Sequence, residues 1–409
     1  MKIKLIFIVA VLHFLSCSNL KTHSNYKKYN LINNKLTNKL DSIYKEKSIP
    51  GFSVAIVNEE GIIYTKGFGK TSLSKKEKYE ANTSQKIASI SKTVLGIALL
   101  KAQEMKKLNI NDPINKYLPY KVINPYYPET PILIKHLAYH NSSLRDTRDI
   151  FENSYIIINE EVKTNEQALP FFKKSNAEIS LEQFLTNSLF KEGKWYGEDS
   201  FFEFEPDKER RYSNLGAGIC QYILEKVTEK SYEAFTKETI FEPLKMQNIS
   251  WEYSSSVKNR TKLFLNDTTL ITPYKGFNKA DGELRTSVND LSILLIEFIK
   301  AYNGKGTLLN KESYQLLFDA KQFPNQRSQF GIFIEFRPIA FGFKENLIGH
   351  MGADPGLLTA MYFNPESGLG KIMFINIEPR TKKIRDQINK IWKALLAHEN
   401  KIKNVAKAL

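Results

Sequence analysis

The chain has 409 residues, 42% hydrophobic and 25% charged, an ordinary globular balance with room for two domains or one large body carrying an inserted lobe. Its formal charge of +15 comes mostly from scattered Lys, without an Arg-rich stripe or basic–aromatic interleaving, so nucleic acid is not an expected partner. Two cysteines exclude a disulfide framework.

Lys2 and Lys4 precede the apolar run from Leu5 to Leu15, which is too short to span a bilayer and reads as a secretory signal over residues 1–17. Phe14-Leu15-Ser16-Cys17 resembles a bacterial lipoprotein cleavage box with Cys17 as the lipid-bearing residue. Phe14 departs from the usual Leu there, which leaves a plain signal peptide as the alternative. Acylation would hold the protein at a membrane of the cell envelope without threading it through. Residues 18–34 are polar and rich in Lys and Asn, and read as a tether. Leu36, Leu40, Ile43 and Tyr44 give helical spacing up to Lys47, and Pro50-Gly51 stops it. Strands are predicted from Phe52 to Val57 and from Ile62 to Phe68, joined as a hairpin by Asn58-Glu59-Glu60-Gly61.

From Ser89 to Leu100 the sequence predicts a helix that is apolar nearly all round and therefore buried. Ser89 and Lys92 stand three apart at its front, on one face. The positive end of a helix dipole favours developing negative charge on such a hydroxyl. The local stretch is equally compatible with Ser89 as an N-cap and Lys92 as a solvated charge.

Residues 108–119 read as a loop, and 132–139 as a short helix followed by His140-Asn141-Ser142-Ser143-Leu144-Arg145. Residues 146–205 are polar with weak periodicity and read as a helical lobe with long connections. Helices are predicted over 215–227, 232–240 and 288–302, with a turn into a strand-like bend at Ala280-Asp281-Gly282-Glu283-Leu284. Strands follow over 330–336, 347–350, 357–363 and 371–377, then a closing helix over 383–397 and a basic tail at 399–409. The fold class is α+β: an antiparallel sheet from both termini (35–105 and 241–398), flanked by helices, with a mainly helical lobe at 106–240.

Two further pieces carry chemistry. Tyr212-Ser213-Asn214 lies just before a helix; its phenol can serve as a base or proton relay if positive charge such as Lys92 lies near, since an isolated phenol titrates near 10. The other reading is a packed loop tyrosine with Asn214 as cap. Gly349-His350-Met351-Gly352-Ala353-Asp354-Pro355-Gly356 precedes a strand; its glycines allow close approach, and a strand edge can offer an N–H to an oxyanion. Alone, it also reads as a Gly/Pro-rich hairpin.

Together these pieces, in this order, resemble the serine β-lactamase and penicillin-binding-protein superfamily, on the class C β-lactamase-like branch that includes esterases and D-aminopeptidases. The resemblance runs from about Lys35 to Ala397. Gly51-Phe52-Ser53-Val54-Ala55-Ile56-Val57 is similar to the family's opening strand. His350-Met351-Gly352 stands where β-lactamases usually carry Lys-Thr-Gly. Phe241-Glu242-Pro243-Leu244-Lys245-Met246 resembles a common family segment with Lys245 in place of Gly. His140-Asn141-Ser142-Ser143-Leu144 is similar to a His-Thr-Ser-Gly-Leu loop, also altered. The resemblance implies Ser89 as nucleophile, Lys92 and Tyr212 as its proton partners, and Asn214 orienting the lysine and substrate. It places the Ser89 and Ala353 N–H groups in the oxyanion hole, with His350 and Gly352 in the substrate wall. A His in place of Lys lowers the expectation of β-lactam hydrolysis and favours small ester, amide or D-amino-acid peptide substrates. The alternatives are a D,D-carboxypeptidase or β-lactamase proper, and a non-catalytic peptidoglycan or peptide binder. No cofactor or metal is implied: His136 and His140 are four apart without a third ligand nearby. Cys220 reads as a small core residue.

Overall fold

The computed structural model describes residues 29–407 apart from 75, 159–162, 255 and 339–344. The signal peptide, Cys17 and the first part of the expected tether lie outside the described residues. In chain order the main sheet is built from β1 (Gly51–Asn58), β2 (Gly61–Gly69), β3 (Lys321–Gln322), β4 (Gln329–Gly331), β5 (Ile334–Phe336), β6 (Ile348–Asp354), β7 (Leu357–Asn364) and β8 (Leu369–Ile375). Helices of eight or more residues are α1 (29–44), α2 (Ser91–Glu104), α3 (Leu181–Leu189), α4 (Asn214–Thr228), α5 (Val288–Tyr302) and α6 (Lys382–Lys407).

Near-continuous apolar runs in β1, β7 and β8 are buried on both faces, which suits central strands; β2 alternates, as an edge strand does. The antiparallel order is β3-β4-β5-β6-β7-β8-β1-β2. The expected junction of the two ends of the chain is the β1–β8 ladder, with Phe52 opposite Ile375 and Val57 opposite Gly370. Helix α5 packs on β1 and β8. Its bounds are those the sequence predicts: Ser287 caps it by accepting the Asp290 N–H, and an acidic first turn complements the dipole. Helix α2 is buried from Ser91 to Leu100, as its all-round apolar sequence requires.

By its contacts the chain divides into two units, one gathering the chain up to Lys47 with Lys383 onward, the other running Ser48–Lys382. In the first, the Gln387 side chain donates to the Ile43 carbonyl (2.7 Å), and Lys390 pairs with Glu46. Residues 29–34, expected as tether, and 399–407, expected as tail, are helical. The reason is periodicity: buried Leu36, Leu40 and Ile43 set the stripe of α1, and Ile388, Ile391, Leu395 and Ile402 carry that of α6 past Ala397.

Three local expectations differ. The strand expected over 330–336 is the hairpin β4–β5, reversed at Ile332-Phe333 with Phe333 in a left-handed conformation (φ +51°). The expected bend at 280–284 contains a helical turn, Lys279–Gly282, capped by the Asn278 side chain. Within 106–240 helix concentrates after residue 180; before it, Tyr155–Ile157 and Glu166–Gln167 pair with 274–276 and 270–271, outside the expected lobe. There Tyr155 and Tyr274 are buried in an aromatic cluster with the partly buried Phe171 and Phe172 instead of forming a helix face.

Candidate active site

Ser89 sits in a 3₁₀ turn, Ala88–Ile90, that runs directly into α2. Ala88 is held at φ +46°, a left-handed conformation costing about 1–2 kcal/mol for a non-glycine residue. The turn is tied down on both sides: Ile87 donates to the Leu284 carbonyl (2.9 Å), and Leu284 donates to the Ser91 hydroxyl (3.2 Å). One turn on, Lys92 is fully buried. Its Nζ lies 3.1 Å from Ser89 Oγ and donates to the Asp281 carbonyl at 2.6 Å. The serine and lysine are thus in contact, and a main-chain carbonyl fixes the amine.

Strand β6 supplies the next wall. Its partner β5 pairs with it only at Ile348 and Gly349, so among the described residues the edge from His350 to Asp354 on that side carries no strand. The Ser89 turn approaches there. A Cβ on Gly352 would stand 2.2 Å from the Ile87 carbonyl oxygen and 3.1 Å from Ser89 N, so this position demands glycine. The Thr359 hydroxyl on β7 donates to the same Ile87 carbonyl (2.8 Å). Ala353 lines the pocket with Ser89. His350 is buried with its Nδ1 2.6 Å from the Met351 carbonyl. Burial, then the nearby Lys92, pushes its imidazole down to about 3, so it is neutral; Nδ1–H donates and Nε2 keeps its lone pair.

Tyr212 is 38% exposed and lies over the site: its ring stacks on His140 (4.3 Å between centroids), and Lys92 Nζ is 5.1 Å from its centroid. Its hydroxyl makes no hydrogen bond among the described residues. His140 takes a left-handed conformation (φ +57°) and accepts the Ser213 N–H on Nδ1 (3.2 Å), leaving its buried Nε2 without a partner. Burial, then Arg210 and Lys92, holds it well below its ordinary value. Asn214 opens α4. Its N–H and the Ser213 hydroxyl both reach the Asp146 carboxylate (2.5 and 2.7 Å), which caps the helix start. The Asn214 side-chain oxygen is buried without a partner, and its main-chain carbonyl accepts from Asn278 (2.7 Å). The structure therefore ties Lys92 to Asp281 and gives Asn214 no bond to it.

These residues enclose a pocket of about 350 Å³. Ser89, Tyr212, Asn214, His350 and Ala353 all line it, and Lys92 lies beneath Ser89. Sequence reasoning missed three charged groups. Asp281 lines one side, where burial pushes its carboxyl up to about 7, Lys92 opposing and Asp354 adding to the rise. Arg210 lines another, its guanidinium 3.4 Å from the Phe330 ring centroid and its buried Nε unpartnered; burial lowers it to about 10, opposed by Glu335. Asp146 acts behind Asn214. None has a local signal, because each is recruited by a segment tens to hundreds of residues away. Beside the pocket a buried ionic cluster joins Lys86 to Glu283 (2.6 Å) and Asp354 (2.8 Å), with Arg285 on Glu283 (3.0 Å). Among the described residues no group of three or more His, Cys, Asp or Glu could hold a metal.

Comparison with known proteins places this geometry. A profile of the beta-lactamase family matches residues 34–395. Protein flp of Staphylococcus aureus is 24% identical over 338 residues, 80% of this chain and 60% of that protein. Penicillin-binding protein 4* of Bacillus subtilis is 25% identical over 336 residues, 76% of this chain and 65% of that protein. The chain therefore spans less than two thirds of the length of these curated relatives. Among solved structures, an octameric penicillin-binding protein homologue from Pyrococcus abyssi superposes with a TM-score of 0.66 at 22% identity, covering 89% of this chain and 77% of that one. D-amino acid amidase from Ochrobactrum anthropi does so with a TM-score of 0.65 at 18% identity, covering 89% and 99%.

Proposed function

The chain belongs to the beta-lactamase family, and from that premise we propose that it is a serine hydrolase working through an acyl-enzyme on small ester or amide substrates, D-amino-acid derivatives included. The observation that carries the reading is the contact of Ser89 Oγ with a fully buried Lys92 amine whose other partner is a main-chain carbonyl. In this mechanism Ser89 Oγ bonds to the substrate carbonyl carbon and its proton passes to the Lys92 amine along the 3.1 Å contact. Tyr212, above both, relays that proton to the leaving group as the carbonyl–leaving-group bond breaks. The N–H groups of Ser89 and Ala353 receive the oxyanion; one such donor is worth roughly 3 kcal/mol of barrier. Water then attacks the acyl-enzyme with the proton path reversed, and Ser89 is regenerated.

Neutral His350 offers no fixed charge to a carboxylate, which favours esters and amides over β-lactams. The amidase among the structural neighbours agrees with that choice. The test is covalent labelling by a fluorophosphonate, read by intact mass, together with p-nitrophenyl acetate turnover. Ser89→Ala is expected to abolish the adduct and lower kcat by about 10³-fold or more. Unchanged turnover in the variant would sink the reading.

One observation favours a second reading. Arg210, which makes no ion pair among the described residues, puts a cation on the pocket lining, a feature suited to a terminal carboxylate, as a D,D-carboxypeptidase or β-lactamase needs. Prompt nitrocefin hydrolysis would select it. The basic, apolar start of the chain and Cys17 support export with a lipid anchor at the cell envelope. Cys17→Ala releasing the protein from membranes would test that.

A further inference from the structure

We propose that Asp281, together with the side-chain oxygen of Asn214, is a recognition site for an ammonium group, so that the pocket selects esters and amides carrying a free α-amine beside the scissile carbonyl. The inference rests on the reading of Ser89 as nucleophile.

Position comes first. The Asp281 carbonyl is 2.6 Å from Lys92 Nζ, which is itself 3.1 Å from Ser89 Oγ, so Asp281 is next to the reacting pair. An α-amine lies two bonds from the carbonyl carbon under attack and falls within the same short reach. Asn278 locks the two recognition residues together, donating to the Asn214 carbonyl (2.7 Å) while accepting the Asp281 N–H (3.3 Å).

Pairing comes second. The other acids lining the pocket or standing beside it are already matched, Glu335 by the Tyr362 hydroxyl (3.2 Å). Glu283 has Lys86, Arg285 and the Gly276 N–H; Asp354 has Lys86 and the Tyr155 hydroxyl. The Asp281 carboxylate has neither an ion pair nor a hydrogen bond among the described residues. The Lys92 amine spends its contacts on Ser89 and the Asp281 main chain. Beside it the Asn214 side-chain oxygen is a buried acceptor without a donor. Two empty acceptors, a carboxyl group and an amide oxygen, belong to residues that line one pocket. An ammonium brings three N–H donors and a positive charge, which is the chemistry this pair lacks. Asp354 stands close behind, 3.3 Å from the point a Gly282 Cβ would occupy, and adds to the negative potential. Burial raises the Asp281 carboxyl to about 7 against the opposing pull of Lys92 and Lys86, and an ammonium beside it would favour the ionised form.

The test compares phenylalanine amide and methyl ester, in D and L forms, each with a free amine and N-acetylated, on the full chain. The free amine is expected to raise kcat/KM by about 10- to 100-fold, mainly through KM, the usual effect of one charge-assisted hydrogen-bonded contact. In Asp281→Asn that ratio is expected to fall to within about twofold of unity, with Asp281→Ala as a second variant and fluorophosphonate labelling of Ser89 as proof of an assembled site. Equal rates on free and acetylated substrates in the wild type, or a ratio that persists in both variants, would overturn the proposal. Turnover of p-nitrophenyl acetate through Ser89 without any amine preference would defeat this inference alone. Absence of both turnover and Ser89 labelling would defeat the hydrolase reading and this inference with it.

Discussion

Two polar clusters meet at Asp354 and are built on opposite rules. In the buried one, Lys86, Glu283, Asp354 and Arg285 satisfy one another within 3.0 Å, and Tyr155 and Gly276 add further donors. In the pocket, Asn214 Oδ1, His140 Nε2 and Arg210 Nε are buried without partners among the described residues, and the Asp281 carboxyl group has no hydrogen bond or ion pair among them. Leaving a buried polar group unmatched costs about 1–3 kcal/mol, so the pocket is held open at the expense of stability while the cluster beside it is not. The difference separates charges that hold the wall from charges that face a ligand.

That contrast can be broken most sharply at Lys86. Lys86→Met strips Asp354 and Glu283 of their shared cation, and a loss of about 3–5 kcal/mol is expected in urea unfolding; a loss under 1 kcal/mol would mean the cluster is not the structural half of the pair. Asp281→Asn should act the other way. Its folded carboxyl titrates near 7, above the ordinary 3.8, so the folded state holds the proton more tightly. The resulting stability is complete below pH ~4 and lost as pH rises through ~7. The variant is therefore expected to melt higher than the wild type at pH 8, with the gain fading toward pH 4; a gain independent of pH would refute the assignment. The smallest effect is expected outside the pocket. Lys245 is exposed and held at φ +58°, where the resembling family segment has Gly. Lys245→Gly is expected to add about 0.5–1 kcal/mol in urea unfolding. Ser143, also left-handed at φ +64°, is a poorer choice because its hydroxyl accepts from Asn124 (2.8 Å).

Much of the fold was legible because its signals are local. The run Val288–Tyr302 carries its own cap and apolar stripe, and the doubly buried strands announce themselves by composition. The β4–β5 reversal was not, since Ile332-Phe333 holds no glycine, proline or asparagine to mark a turn. At the site, Ser89, Lys92, Tyr212, Asn214, His350, Gly352 and Ala353 could be named from short motifs, and all but the packed Lys92 and Gly352 line one pocket. What the motifs could not give is who holds whom. The carbonyl that fixes Lys92 lies 189 residues away, and the carboxylate that caps Asn214 lies 68 away. Such partners are chosen by tertiary proximity and leave no trace at sequence spacing.

The ladder between β1 and β8 has a consequence for how the molecule is made. A ribosome emits Phe52 more than three hundred residues before its neighbour Ile375. The N-terminal hairpin must wait, half-matched, through nearly all of translation, and the edge that shelters Ser89 arrives only with Gly352. Maturation is thus a late event with a high contact order, slow by its topology, and a nascent chain cut short between residues 92 and 350 carries the serine and lysine but no enclosure in which to use them.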